Sequence, residues 1–409
     1  MFACRNAADR LEQAKPVERL KLGFNYRCYI FDRGDARIAT LWKWNGKPDR
    51  MQLPPELKNA AVYDVMGTRL NSETLTLNEY PVYLETGLSA DALKRAILNA
   101  GLSTDGSAFD AEFQISGEKE FAVKLHNLGH KPISGTVTAD GEKRPFDPIA
   151  PEGYGTVAFR LNNPVSLNDR PVRVKVEVPA LNQNREYNWN LRAVLAPKAP
   201  KAPVIDGDLS DWPAQAKEIP LARQTKLNHW TPAEDRIRAA ARLAWDADHL
   251  YLGVTVYKKD YVESPVGVSG LWLADGIQFA FDPIRNATQA LEGFQDDDFE
   301  YAAALVKNQP VVFRSAASAA TYDSLGKEIG VISEVQRAIR RYPDCTVYEF
   351  AFPRQSVSPF RLQPGEAMRM NILVNLGNRK GRAGYLQLTP GIGESPKRPG
   401  LFMDLVLLP

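Results

Sequence analysis

From Leu20 almost to its last residue the chain repeats short runs rich in β-branched and aromatic residues, each closed by a turn signal. Such punctuated runs read as short antiparallel strands and leave little room for a helical or α/β fold. The first set comprises LGFNYRCYIF, ARIATLWKW, AVYDVMG, ETLTL and YPVYLE, separated by Asp32 to Asp35, Asn45-Gly46, Pro54-Pro55 and Asn78 to Tyr80. A second set, AEFQI, EFAVKLHNL, SGTVTA, YGTVAFRL and VRVKVEV, lies between Phe109 and Leu195 and has the length and spacing of an immunoglobulin-like sandwich. The third runs from ARLAWD to FMDLVLL and suits one large antiparallel sandwich.

Two helices interrupt the pattern. Arg5 to Lys15 reads as a small exposed helix, and Ser89 to Gly101 carries Ser89 as N-cap with Leu93, Ile97 and Leu98 on one face. The segment APKAPKAPV, Ala196 to Val204, alternates Pro with Lys and Ala, which favours an extended linker over packed structure. The expected fold class is therefore all-β and multi-domain. Its parts are a small sandwich with a closing helix over 1–101, an immunoglobulin-like sandwich over 104–195 and a larger sandwich over 203–409.

Composition narrows the function classes. Hydrophobic residues at 44% and charged residues at 24% are ordinary for folded domains. A net charge of +2 from 51 basic and 49 acidic side chains, interspersed along the chain, lacks the basic stripe that nucleic acids require, so no nucleic-acid or acidic-membrane partner is expected. Cys4, Cys28 and Cys345 are too few and too scattered for a disulfide framework or a metal cluster. No run is long and apolar enough for a membrane helix. The opening residues also lack the apolar core of a signal peptide, which suggests an internal start within a longer gene.

Four runs in order carry a resemblance: IDGDLSDWP (Ile205 to Pro213), ARLAWDADHLYLGVTV (Ala241 to Val256), LWLADGIQFAFDP (Leu271 to Pro283) and NILVNLGNRKGRAGYLQLTPGIG (Asn371 to Gly393). Together they resemble family 9 carbohydrate-binding modules. The resemblance implies a jelly-roll or DOMON-type sandwich that binds an oligo- or polysaccharide of xylan or glucan type. It also implies that structural calcium is possible. The first 90 residues resemble more loosely the β-sandwich that follows the catalytic barrel in large glycoside hydrolases, the strand at Pro81 to Leu84 carrying the likeness. A (β/α)₈ barrel of about 250 residues cannot fit before the first strand, so an upstream barrel would have to be encoded elsewhere. The expected role is non-catalytic targeting of a secreted or periplasmic glycoside hydrolase system. Alternatives are a hydrolase fragment without its barrel, a structural spacer and a haem-binding redox domain.

Sugar rings present flat C–H faces edged by hydroxyls, so a site needs an exposed aromatic plate ringed by amides and charged groups. Trp272 matches by position the family's first stacking tryptophan, although a Trp between two leucines also reads as core. Alternation places Ile277, Phe279 and Phe281 on the core face and Gln278 opposite; it likewise groups Asn371 with Asn375, and Tyr385 with Gln387. Asp275, beside Trp272, and Arg382 complete the candidate set of Trp272, Asp275, Gln278, Asn375, Arg382, Tyr385 and Gln387. Arg314 and Arg379 are the other arginines able to stand in for the family's own, whose position falls near Ala302. The Thr389–Phe402 loop departs from the family by having no aromatic before Phe402.

Acidic clusters are weighed separately. Asp206, Asp208 and Asp211 could hold calcium or form Asx-turns beside Gly207, with Trp212 as core. Asp296, Asp297, Asp298 and Glu300 read as a solvated acidic loop with a possible calcium role, and not as a glycosidase carboxylate pair. For the haem alternative, Met368 and Met370 read as strand core, and nothing pairs them with His229 or His249.

Overall fold

A computed structural model describes residues 2–44, 48–70, 73–103, 108–288, 290–317 and 328–409, so the Asn45-Gly46 turn lies outside the described residues. The chain is all-β and divides into two compact units. One unit comprises Met1–Phe113, Ala122–Phe159 and Val172–Trp189; the other comprises Gln114–Phe121, Arg160–Pro171 and Asn190–Pro409. Among the described residues no helix is long and apolar enough to cross a membrane.

The first unit opens with a helix, Phe2–Leu11, followed by a six-stranded sheet that begins with the antiparallel strands Lys15–Leu20, Tyr26–Asp32 and Arg37–Lys43. Alternation drives Cys28 and Ile30 inward to pack with Leu41 and Leu84, all buried. The helix Ala90–Asn99 closes this core. Ser89 caps it by accepting from the Ala92 amide, and Leu93, Ala96 and Ile97 are its buried face. Leu98, expected on that face, is 37% exposed, because it lies one residue beyond the buried i, i+3, i+4 stripe.

The second unit is a sandwich of two sheets. A five-stranded sheet (order Ile219–Pro220, Arg238–Trp245, His249–Tyr257, Thr346–Pro353, Gln336–Arg341) supplies Leu243, Leu252, Val254, Phe350 and Phe352 to the core. A nine-stranded sheet supplies Phe279, Phe281, Tyr301, Met370 and Ile372. The rings interlock, Phe279 stacking on Tyr301 with centroids 5.3 Å apart and meeting Phe352 edge-on at 5.1 Å. Met368 and Met370 are fully buried here, as the sequence leads one to expect.

The first part of the supposed linker is packed, whereas Pro200 to Ala202 and Val204 are exposed. Val194–Ala196 is a strand pairing in parallel with Met403–Leu407, the Trp245 carbonyl accepts from the Ala199 amide at 2.7 Å, and Ala196 and Ala199 are buried. The correction has a plain cause. Extended Pro/Ala backbone still offers carbonyls and amides to a sheet edge, and its small side chains fit where larger ones would not.

At the entrance to this sandwich the Asp206, Asp208 and Asp211 carboxylates serve backbone amides. Asp206 accepts from the Asp208 amide at 2.9 Å, Asp208 from Ser210 at 2.9 Å and Asp211 from Val204 at 2.8 Å. The first two are the Asx-type turns of one sequence reading, and the third ties Val204 back to the same segment. Gly207, at φ +85°, lets the turn reach the buried Glu349, which accepts from the Asp206 and Gly207 amides and from the Trp212 indole.

Candidate functional site

The sheet face turned away from the core carries the site. Pairing of Gly276–Asp282 with Ala367–Asn378, and of the latter with Gly381–Gln387, sets Gln278, Asn371, Asn375, Tyr385 and Gln387 on this face, while Ile277, Phe279 and Phe281 point into the core. Two coverings flank it: the 3₁₀ segment Gly267–Leu273 and the loop between Gln387 and Met403. Between them lies a cavity of about 410 Å³ whose lining includes Trp272, Gln278, Glu300, Phe313, Arg382 and Lys397.

Trp272 is 46% exposed and stands at the cavity as a plate. The Arg382 guanidinium lies between two rings, 5.6 Å from the Trp272 centroid and 4.8 Å from that of Tyr385. Burial holds Arg382 below the usual guanidinium range, an effect partly offset by Tyr385. The floor is a chain of polar groups. Asn375 donates its amide to Gln278 at 3.1 Å, Gln278 donates to Glu300 at 3.3 Å, and Glu300 also accepts from Ser315 at 2.8 Å and Lys397 at 2.9 Å. The side-chain oxygens of Asn375 and Gln387 are buried without a hydrogen-bond partner. Neither residue lines the cavity, and unmet buried acceptors of this kind suit an enclosed water.

Four of the seven candidates, Gln278, Asn375, Tyr385 and Gln387, thus share the sheet face, and Trp272, Gln278 and Arg382 line the cavity. Asp275 stands apart. It is 4% exposed, and its carboxylate is taken by Lys258 and by the amides of Val262 (2.7 Å) and Gly377 (2.9 Å), so it pins the Trp272 segment from below. Burial raises its carboxyl above the ordinary value against the pull of Lys258. Asn371 is likewise committed, donating to the Thr389 and Pro390 carbonyls that begin the covering loop. Of the three arginines only Arg382 reaches the cavity. Arg314 lies over the core ring of Tyr301 and pairs with Glu334, and Arg379 is exposed on a turn.

Sequence reasoning missed Glu300, Ser315 and Lys397. Glu300 was hidden in an acidic run, and Lys397 lay in a loop judged only by its lack of aromatics. A second cavity, of about 470 Å³, is lined by Arg314, Glu334, Ser356 and neighbours with no aromatic plate among the described residues.

Of the acidic run only Asp296 is solvated. Asp297 and Asp298 are 1% and 0% exposed, and with Asp282 (0%) they bring carboxylate oxygens within 4.8 Å of one another. The correction follows from the fold. The loop before the strand Phe299–Val306 turns inward beside the end of the strand Gly276–Asp282, and these two strands pair. Burial pushes Asp298 up to about 8 and raises Asp282 as well. One oxygen each of Asp282 and Asp298 has no hydrogen-bond partner, so this oxygen-only donor set fits a hard cation of the calcium class.

No family model and no curated protein matches the sequence. Among solved structures, about half of the chain is similar to a family 9 carbohydrate-binding module from Caldicellulosiruptor kristjanssonii. The form in complex with cellotriose is 17% identical, covering 53% of this chain and 93% of that one, with a TM-score of 0.41. The form in complex with glucose is 18% identical, covering 52% and 95%, with a TM-score of 0.40.

Proposed function

We propose that residues 203–409 form a non-catalytic carbohydrate-binding module that takes one or two rings of a neutral glucan- or xylan-type chain in the Trp272 cavity. The observation that carries the reading is the half-exposed indole beside a floor of hydrogen-bonding groups, Gln278, Glu300, Arg382 and Lys397. Trp272 stacks on the C–H face of a sugar ring, Gln278 and Glu300 bind its hydroxyls, and the Arg382 guanidinium donates from the side. Glu300 is occupied by three donors, which suits an orienting acceptor better than a proton donor in bond cleavage. The wider role we infer is to hold a polysaccharide-degrading system on its substrate.

A disaccharide of about 23 heavy atoms at roughly −0.3 kcal/mol per atom gives about −7 kcal/mol, a Kd near 10 μM at best. Calorimetry with cellotriose and xylotriose tests the reading. High-micromolar binding that Trp272→Ala abolishes, with an unchanged melting temperature, supports it. Absence of binding to both sugars, or release of shorter sugars on incubation, overturns it.

A further inference from the structure

The first unit carries a row of four rings at its surface. Trp44, Phe24 and Tyr154 are 43%, 36% and 56% exposed, and the half-buried His126 joins them. Phe24 meets Trp44 edge-on with centroids 5.9 Å apart and meets His126 edge-on at 4.7 Å, while His126 stacks on Tyr154 at 4.2 Å. Contiguous exposed rings of this kind mark a binding surface more often than chance exposure does.

The fold builds the row and holds it still. In the strand Glu120–Asn127 alternation buries Phe121, Val123 and Leu125 and leaves Lys124 and His126 outward; in the neighbouring strand Tyr154–Arg160 it buries Val157 and Phe159 and leaves Tyr154 outward. The loop between Leu20 and Tyr26 brings Phe24 to them, its amide donating to the Leu128 carbonyl at 3.1 Å. Gly23, at φ +118°, permits the approach, since a Cβ there would stand 2.6 Å from the same oxygen. Trp44 donates its backbone amide to the Asn25 carbonyl and its indole hydrogen to the Phe24 carbonyl, both at 3.0 Å. The one polar group of the indole is thus spent inside the protein, and what the ring shows to solvent is apolar.

Charge around the row is balanced. The Arg27 guanidinium lies 5.3 Å from the Trp44 centroid and the Lys124 ammonium 4.6 Å from that of Tyr154. Lys124 faces Glu112 at 3.6 Å, Arg19 holds Glu152 at 2.7 Å, and Asp110 adds a further carboxylate near His126. Burial keeps the His126 imidazole below its ordinary value, so the middle of the row is a neutral ring near pH 7. Apolar rings edged by both donors and acceptors, without excess charge, match a chain of sugar rings with C–H faces and hydroxyl edges. A row one ring wide, built of four side chains, is small beside the roughly 20–30 residues that each side of a standard protein interface supplies.

We propose that Trp44, Phe24, His126 and Tyr154 form a second saccharide-binding surface, which takes an extended segment of a neutral β-linked polysaccharide. The sugar faces lie on Trp44 and Tyr154, and Arg27 and Lys124 donate to hydroxyls at the two ends. This surface stands independently of the Trp272 cavity, and because it spans several rings it favours longer chains.

The experiment uses the full chain carrying Trp272→Ala, so that the cavity does not mask the row, with cellohexaose, xylohexaose and cellotriose as probes in calorimetry. At least one of the two longer probes is expected to bind, and more tightly than cellotriose. Adding Trp44→Ala, or separately Tyr154→Ala, is expected to weaken that binding about tenfold at an unchanged melting temperature. Tyr154 is more than half exposed, so its variant keeps the test open should Trp44→Ala unfold the chain. Absence of binding to both longer probes overturns the proposal, as does binding that neither substitution weakens or that cellotriose matches. A wild-type chain whose saccharide affinity falls with Trp44→Ala but ignores Trp272→Ala supports the row while the cavity reading alone fails.

Discussion

Asn375 donates its side-chain amide to Gln278 across 3.1 Å between neighbouring strands, and Gln278 passes a hydrogen bond on to Glu300. The relay orients a cavity group, Gln278, from a residue that is itself 1% exposed. Asn375→Ala leaves the Gln278 oxygen without its donor, at a cost of about 1–3 kcal/mol for an unmet buried group. Chemical denaturation should show that loss. Calorimetry should show weaker saccharide binding with the cavity lining otherwise intact. Unchanged affinity would mean that Gln278 is held by other contacts.

Trypsin should spare the bond after Lys198 under conditions that nick exposed loops. The flanking Ala199 amide is bonded to Trp245, and the Lys198 ammonium lies 5.5 Å from the Trp245 ring. Protease cleavage needs a locally unfolded stretch, and this one is anchored. Mass spectrometry of early fragments decides; a dominant cut after Lys198 would show that the anchoring is weak.

Acid should weaken the second unit partly through Asp246. Burial pushes its carboxyl up, but the Tyr251 hydroxyl at 2.5 Å and the Asp248 and His249 amides at 2.8 Å outweigh that and hold it below the ordinary carboxylate value. A lowered folded value stabilises the protein at pH above the ordinary carboxylate range, and this contribution fades as pH falls through the folded value. Asp246→Asn should be less stable near neutral pH and show a flatter decline in acid. Parallel acid limbs for the two proteins in a melting series would contradict this assignment.

Two core tryptophans should behave unlike Trp272. Trp245 is 1% exposed and donates its indole hydrogen to the Leu408 carbonyl at 2.9 Å. Trp245→Ala should cost about 3–5 kcal/mol through cavity and transfer losses. Trp212→Ala should also strand Glu349, removing one of its three donors. Denaturant midpoints should fall clearly for both variants and hardly at all for Trp272→Ala.

Much of this was legible because strand alternation is a local rule. The inward set Ile277, Phe279 and Phe281 and the outward Gln278 follow from a period of two, as do the outward Asn375 and Tyr385. Ser89 announced its cap through residue type and position alone. What stayed hidden depended on distant partners. Asp275 reads like a site residue until Lys258 and Gly377 close on it, and Lys397 reads like loop until Glu300 arrives from another strand. Asp297 and Asp298 looked solvated because nothing in their own segment says that Asp282 lies beside them. Ala196 to Val204 looked free because small residues beside Pro carry no pattern by which to detect an edge.

The parallel pairing of Val194–Ala196 with Met403–Leu407 makes the strand by which the chain enters the nine-stranded sheet the edge neighbour of that strand. A fragment begun at Pro203 would lose that entry strand and bare the hydrogen-bonding edge of Met403–Leu407, inviting a second molecule to pair there. The sandwich is better excised from near Asn190.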